Sequence, residues 1–132
     1  MDRSIIFELK EEHKAIIIAL NEVNFGGNLE ETKVLIQTMQ SVVTEHLRKE
    51  DTVIYPALLG SQNEALVSLG TSFLHSMIAY SEIFVDVTRR IGESSGSIDA
   101  GLVSEYESMR NKIKDRIFVE ETALFPAYES IC

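Results

Sequence analysis

Apolar residues recur along this chain at three- and four-residue steps, the period of an amphipathic helix, and no stretch shows the two-residue alternation of a strand. Four segments read this way. In the first, roughly 3–24, Ile6, Leu9, His13, Ile16, Leu20 and Val23 share a stripe. In the second, roughly 29–55, the stripe is Leu35, Met39, Val42, His46, Glu50 and Val53, and Pro56 marks an end or a kink. The third, roughly 63–92, carries Leu74, Ile78, Val85 and Ile91, with His75 beside them. The fourth, roughly 99–125, aligns Leu102, Tyr106, Met109, Ile113, Arg116, Glu120 and Leu124. Phe25-Gly26-Gly27-Asn28, whose glycines are free to take left-handed geometry, Gly60-Ser61-Gln62-Asn63 and the polar run GESSGS at 92–97 are the connectors. Long helices with short loops predict an all-α fold, an antiparallel up-down-up-down four-helix bundle formed by residues 1–132 as a single domain.

Composition supports this and narrows the partners. Apolar residues make up 45% of the chain, enough for one core, and seven glycines and two prolines leave little room for turns. A net charge of −9 disfavours nucleic acid and anionic membrane surfaces as partners. The longest apolar run, AIIIAL at 15–20, is too short to span a bilayer, and the N-terminus has no basic start followed by an apolar stretch. A cytoplasmic location is the expectation. Cys132, the single cysteine, cannot form an internal disulfide and reads as a bystander at the chain end.

A twelve-residue pattern occurs twice. HLRKEDTVIYPA begins at His46, and RIFVEETALFPA begins 70 residues later at Arg116 (46 to 116). Glu50 matches Glu120, Thr52 matches Thr122, Pro56 matches Pro126, and Tyr55 faces Phe125. A His followed four residues later by a Glu places a nitrogen and a carboxylate on one helical face, which is metal-ligand spacing. The second copy has lost the nitrogen.

All three histidines, His13, His46 and His75, lie on or beside core stripes of different helices. Glu50 and Glu120 lie on such stripes too. Burying these groups together requires a cation or a complete hydrogen-bond network. The chain therefore reads as a metal site built from His13, His46, Glu50, His75 and Glu120. The alternative is a metal-free polar network that fixes helix register. Glu12, Arg48, Lys49 and Glu121 read as solvated, Glu82 as a surface residue or one supporting the site, and Tyr55 and Tyr106 as core residues whose hydroxyls can hydrogen-bond near it.

With His13, His46-x-x-x-Glu50, His75, the x-x-x-Glu120 motif and an aromatic-Pro pair in each repeat, the chain resembles the hemerythrin-like HHE cation-binding domain over essentially its whole length. That resemblance implies a four-helix bundle around a non-haem di-iron centre bridged by Glu50 and Glu120. His13 and His46 would serve one metal, and His75 and the residue at position 116 the other. Two departures stand out: position 116 is Arg where the family pattern has His, and Thr71 and Ala79 flank His75 where oxygen carriers have a further His. Arginine has no lone pair for a metal but can fork onto a carboxylate. The expectation is that the Arg116 guanidinium stands in for the second metal and pairs with Glu120 or Glu50. That leaves a mononuclear site of His13, His46, Glu50 and Glu120, whose mixed donors suit Fe(II), Mn(II) or Zn(II). The competing expectation is that Arg116 turns outward and two ions bind.

The functional expectation is a non-haem iron protein that binds or senses O₂, NO or peroxide, or handles iron, with a small diatomic ligand or peroxide as its partner. The alternatives are a metal-free bundle acting as an interaction or regulatory module, and an oxidase or peroxidase. No nucleophile–base pair and no phosphate loop is readable, so the sequence leans away from an enzyme.

Overall fold

The computed structural model describes residues 3–132. Its described residues are helical apart from short connectors: α1 (Ser4–Glu22), α2 (Leu29–Lys49), a wide turn (Glu50–Ile54), α3 (Tyr55–Leu59), α4 (Glu64–Glu93), α5 (Ala100–Val119), a second wide turn (Glu120–Leu124) and α6 (Phe125–Glu129). Because α3 continues α2 and α6 continues α5, the chain forms four rods, an all-α bundle.

Three rods start on residues suited to stopping a chain and starting a helix. Asn28, Asn63 and Asp99 each sit in extended geometry and accept the first free helical N–H groups of α2, α4 and α5. Left-handed backbone occurs once among the described residues, at Gly96 with φ 74°, and not at Gly26 or Gly27. The loop after α1 is instead tied by the Asn24 side chain, which accepts from the Gly26 N–H at 2.9 Å.

Neither proline ends its rod. Pro56 and Pro126 each follow a turn of π-helix, in which the Tyr55 and Phe125 N–H groups reach back five residues to the Glu50 and Glu120 carbonyls. A proline ring collides with the carbonyl four residues before it and offers no N–H. Widening the turn by one residue relieves the collision and lets the helix continue. The extra residue also brings two neighbouring side chains to the interior, so that Ile54 with Tyr55 and Leu124 with Phe125 are all buried.

Two apolar clusters fill the bundle. One gathers Leu9, Ile54, Tyr55, Leu58, Phe73, Met77, Leu124, Phe125 and Tyr128. The other gathers Ile16, Leu20, Ile36, Met39, Phe84, Val87, Ile91, Tyr106 and Met109. His13, His46, Glu50 and Glu120, all buried, occupy the rods between them. Tyr106, at the far end from this layer, donates to the Leu20 carbonyl at 2.7 Å.

The third rod faces the core differently from the expected stripe. Its buried residues are Gly70, Phe73, Met77, Phe84, Val87, Thr88 and Ile91. Ile78 and Val85 are 50% and 58% exposed. Gly70 lies hard against α3: a Cβ there would lie 2.9 Å from the Leu58 Cβ. Replacing Gly70 by Ala sets a helix-propensity gain of up to about 1 kcal/mol against an overpacking cost of about 1–3 kcal/mol. A net loss of about 1 kcal/mol is expected, read as a fall of a few degrees in thermal midpoint by circular dichroism.

Candidate metal centre

His13 from α1, His46 from α2, and Glu50 and Glu120 from the two wide turns bring one ligand atom each to within 4.8 Å of one another. His13 Nε2 lies 3.1 Å from His46 Nε2 and 2.9 Å from Glu120 Oε1. His46 Nε2 lies 2.8 Å from Glu50 Oε1 and 3.5 Å from Glu120 Oε1. The His13 ring is held by stacking on Phe125, with centroids 5.3 Å apart.

A second layer orients both histidines. His13 Nδ1 donates to Glu121 Oε2 at 2.8 Å, and His46 Nδ1 donates to Glu12 Oε1 at 3.0 Å. A carboxylate only accepts, so each Nδ1 must carry the proton and, in the neutral ring, each Nε2 must present a lone pair inward. Lys49 caps this layer by donating to Glu12, with Glu8 behind it at 3.5 Å. Glu12, Lys49 and Glu121, read from the sequence as solvated, thus support the centre. A carboxylate next in sequence to a candidate ligand, Glu12 beside His13 and Glu121 beside Glu120, was the available signal. It failed because Glu12 and Glu121 each serve the histidine of another rod.

The result is two imidazole lone pairs and two carboxylate oxygens facing one another away from water. Protons satisfy part of this. Burial would push His46 down, but the Glu120 and Glu50 carboxylates outweigh it and raise the His46 pKa to about 10. Burial, with the Glu120 charge beside it, pushes Glu50 up to about 8. Burial also works against the Glu120 carboxylate, yet the contacts from His13 and His46 prevail and hold it well below the usual range. The fully buried Glu50 Oε1 has the His46 Nε2 at 2.8 Å as its partner, so it is served only by a nitrogen that is itself a potential ligand. Two buried carboxylates and two imidazoles turned on one another need positive charge among them, which a cation supplies as well as protons do. Donors each about 2.1 Å from one cation stand about 3.0–3.4 Å apart, close to the spacings found among these atoms. The donor set fits a divalent ion.

His75 does not join the cluster. It is exposed on α4, two residues from both buried Phe73 and buried Met77. Two positions are about 200° around a helix, so His75 must lie on the side away from the core. Its place as a core-facing ligand is corrected on that ground.

Arg116 is the residue that faces the outer side of the centre. Its side chain is 11% exposed, and its Nε donates to Glu120 Oε2 at 3.0 Å. One terminal nitrogen donates to the Tyr55 hydroxyl at 3.0 Å and to the Phe73 carbonyl at 2.9 Å. The guanidinium carbon sits 4.6 Å from the Phe73 ring centroid. The outward alternative for Arg116 is not the conformation observed.

The family pattern described as "Hemerythrin HHE cation binding domain" matches residues 4–128. The chain belongs to the hemerythrin HHE cation-binding domain family. Comparison with curated proteins and with solved structures gave no match. Family membership and the buried His/Glu cluster together make this a metal-binding domain. No helix among the described residues is long and apolar enough to cross a membrane.

Next to the cluster of this hemerythrin domain lies a cavity of about 60 Å³, lined by His13, His46, Glu120 and Arg116 on one side and by Ile16, Val43, Leu47, Met77, Phe84, Ile113 and Ile117 on the others. An open groove on the surface shares Val43, Leu47, Ser81 and Phe84 with it, so the two adjoin.

Two outcomes follow from this geometry. Glu12→Gln and Glu121→Gln should each weaken metal affinity about 10–100-fold, measured by competition with a chromophoric chelator, because the carboxylate no longer orients its imidazole. His75→Ala should leave affinity unchanged.

Proposed function

We propose that this protein holds a redox-capable divalent ion, iron in the first instance, at His13, His46, Glu50 and Glu120, and uses it to bind or sense a small neutral molecule such as O₂, NO or peroxide. The observation that carries this is the convergence of His13, His46, Glu50 and Glu120, all buried, with one ligand atom each within 4.8 Å of one another beside a small cavity. Mixed nitrogen and oxygen donors suit Fe(II) or Mn(II) as well as Zn(II). When bound, such an ion supplies a coordination position for the small molecule and one-electron chemistry.

The chain's own groups do the rest. Glu12 and Glu121 fix the imidazole tautomers so that the inner nitrogens are free. The cavity has room for a few atoms and none for a sizeable organic substrate, which favours a diatomic or peroxide over a larger reductant. The cavity adjoins the surface groove at Val43, Leu47, Ser81 and Phe84, a side from which a small molecule can approach.

The test is metal content and ligand binding of protein loaded anaerobically with Fe(II). Bound iron that gives a nitrosyl absorption band with NO is the expected result. A folded chain that takes up no metal, even at high pH, would leave the interaction-module reading in its place. Narrowing the cavity where it adjoins the groove with Ser81→Phe should slow NO association roughly tenfold without changing iron content.

Proton competition gives a second expected outcome. At pH 7 the raised pKa values of about 10 for His46 and about 8 for Glu50 keep both groups protonated in the metal-free protein. A metal requires both deprotonated, so binding releases about one to two protons. Apparent affinity should therefore rise as pH increases from 6 to 9, with a calorimetric enthalpy that depends on the buffer. Flat affinity across that range would show that these groups are not the ligands.

A further inference from the structure

We infer that Arg116, together with Tyr55, is the centre's own second cation: it occupies the outer oxygens of both carboxylates and limits the site to one metal ion. This rests on the metal-binding reading above and adds to it the stoichiometry and the residue that sets it.

The two carboxylates are divided in the same way. Glu50 turns Oε1 toward His46 at 2.8 Å and Oε2 toward the Tyr55 hydroxyl at 3.4 Å. Glu120 turns Oε1 toward His13 at 2.9 Å and Oε2 toward Arg116 Nε at 3.0 Å. The inner oxygens face the histidines, and the outer oxygens face one hydrogen-bonded arm, since Arg116 also donates to the Tyr55 hydroxyl at 3.0 Å. The Tyr55 hydroxyl accepts from Arg116 and is left to donate toward Glu50. A second metal ion would have to take these outer oxygens, and they are already covered by a positive charge and a hydroxyl.

Charge points the same way. One divalent ion with Arg116, set against Glu50 and Glu120, leaves one net positive charge. Two divalent ions with Arg116 leave three, in a place with little water to screen them. Nor can the guanidinium withdraw cheaply. It is held by a side chain of its own rod, the Tyr55 hydroxyl of α3 and the Phe73 carbonyl of α4, and it lies over the Phe73 ring. The repeat supplies an internal control, because His46 and Arg116 hold matching positions four residues before Glu50 and Glu120. One copy donates a lone pair to the centre and the other donates protons to it.

The experiment is a Mn(II) titration of the full chain, read by metal analysis and by electron paramagnetic resonance. Wild type is expected to bind one ion with the six-line spectrum of an isolated Mn(II). Arg116→His, which restores a lone pair in the matching position, is expected to bind two ions and to show an exchange-coupled spectrum. Two ions in wild type, or one ion in a folded Arg116→His protein, would overturn the inference while leaving the metal-binding reading standing. No ion in wild type would overturn both. Should the histidine variant fail to fold, Arg116→Gln removes the charge while keeping a donor for Glu120. It is expected to accept a second ion, and a single ion at saturation would count against the inference.

Discussion

Four electron-pair donors point at one another in a part of the bundle that water does not reach, and the surrounding architecture follows from what keeps them there. Left alone, two carboxylates and two imidazole lone pairs repel, and each buried charge carries a desolvation cost of several kcal/mol. Positive charge has to come from somewhere. Arg116 brings one permanent charge to the outer oxygens, protons on His46 and Glu50 bring labile charge to the inner ones, and a divalent ion can replace those protons. Glu12 and Glu121 add negative charge outside the imidazoles, which makes each ring a stronger donor and fixes its orientation. The two apolar clusters on either side exclude solvent and give these interactions their strength.

The duplicated motif explains how so short a chain builds such a layer. In both copies a proline six residues after the glutamate forces a wide turn that starts at that glutamate, and an aromatic residue five positions on turns inward with it. One constraint, the clash of a proline ring, therefore places Glu50 and Glu120 alike. The copies then diverge in their partners. Tyr55 carries a hydroxyl that links Arg116 to Glu50, whereas Phe125 has none and stacks on His13. A symmetric scaffold thus holds an asymmetric centre, with histidine donors on one side and a guanidinium on the other.

Much of this was legible in the residues. Helix periodicity located all four rods, and the stripes of the first, second and fourth placed His13, His46, Glu50, Arg116 and Glu120 inside. The third rod was misread because α4 carries apolar residues around much of its circumference. Ile91 packs as expected and Leu74 is half-buried, but Ile78 and Val85 are exposed while Phe73, Met77 and Phe84 pack, and that shift of the core face carries His75 to the surface. The supporting layer was hidden for a different reason. Glu12 and Glu121 sit next in sequence to His13 and Glu120, and adjacent positions on one helix do not share a face. Their partners come from other rods, a pairing that only the assembled bundle reveals.

On the proposed reading, one metal ion and one guanidinium share the charge of two buried carboxylates. The most direct measurement is anomalous diffraction from crystals of the metal-loaded protein, collected above and below the absorption edge of the bound metal. One peak per chain, within bonding distance of His13 Nε2, His46 Nε2 and one oxygen each of Glu50 and Glu120, with Arg116 still on the outer oxygen of Glu120, is the result expected. Two peaks beside the carboxylates, or a peak at exposed His75 with the inner cluster empty, would contradict it.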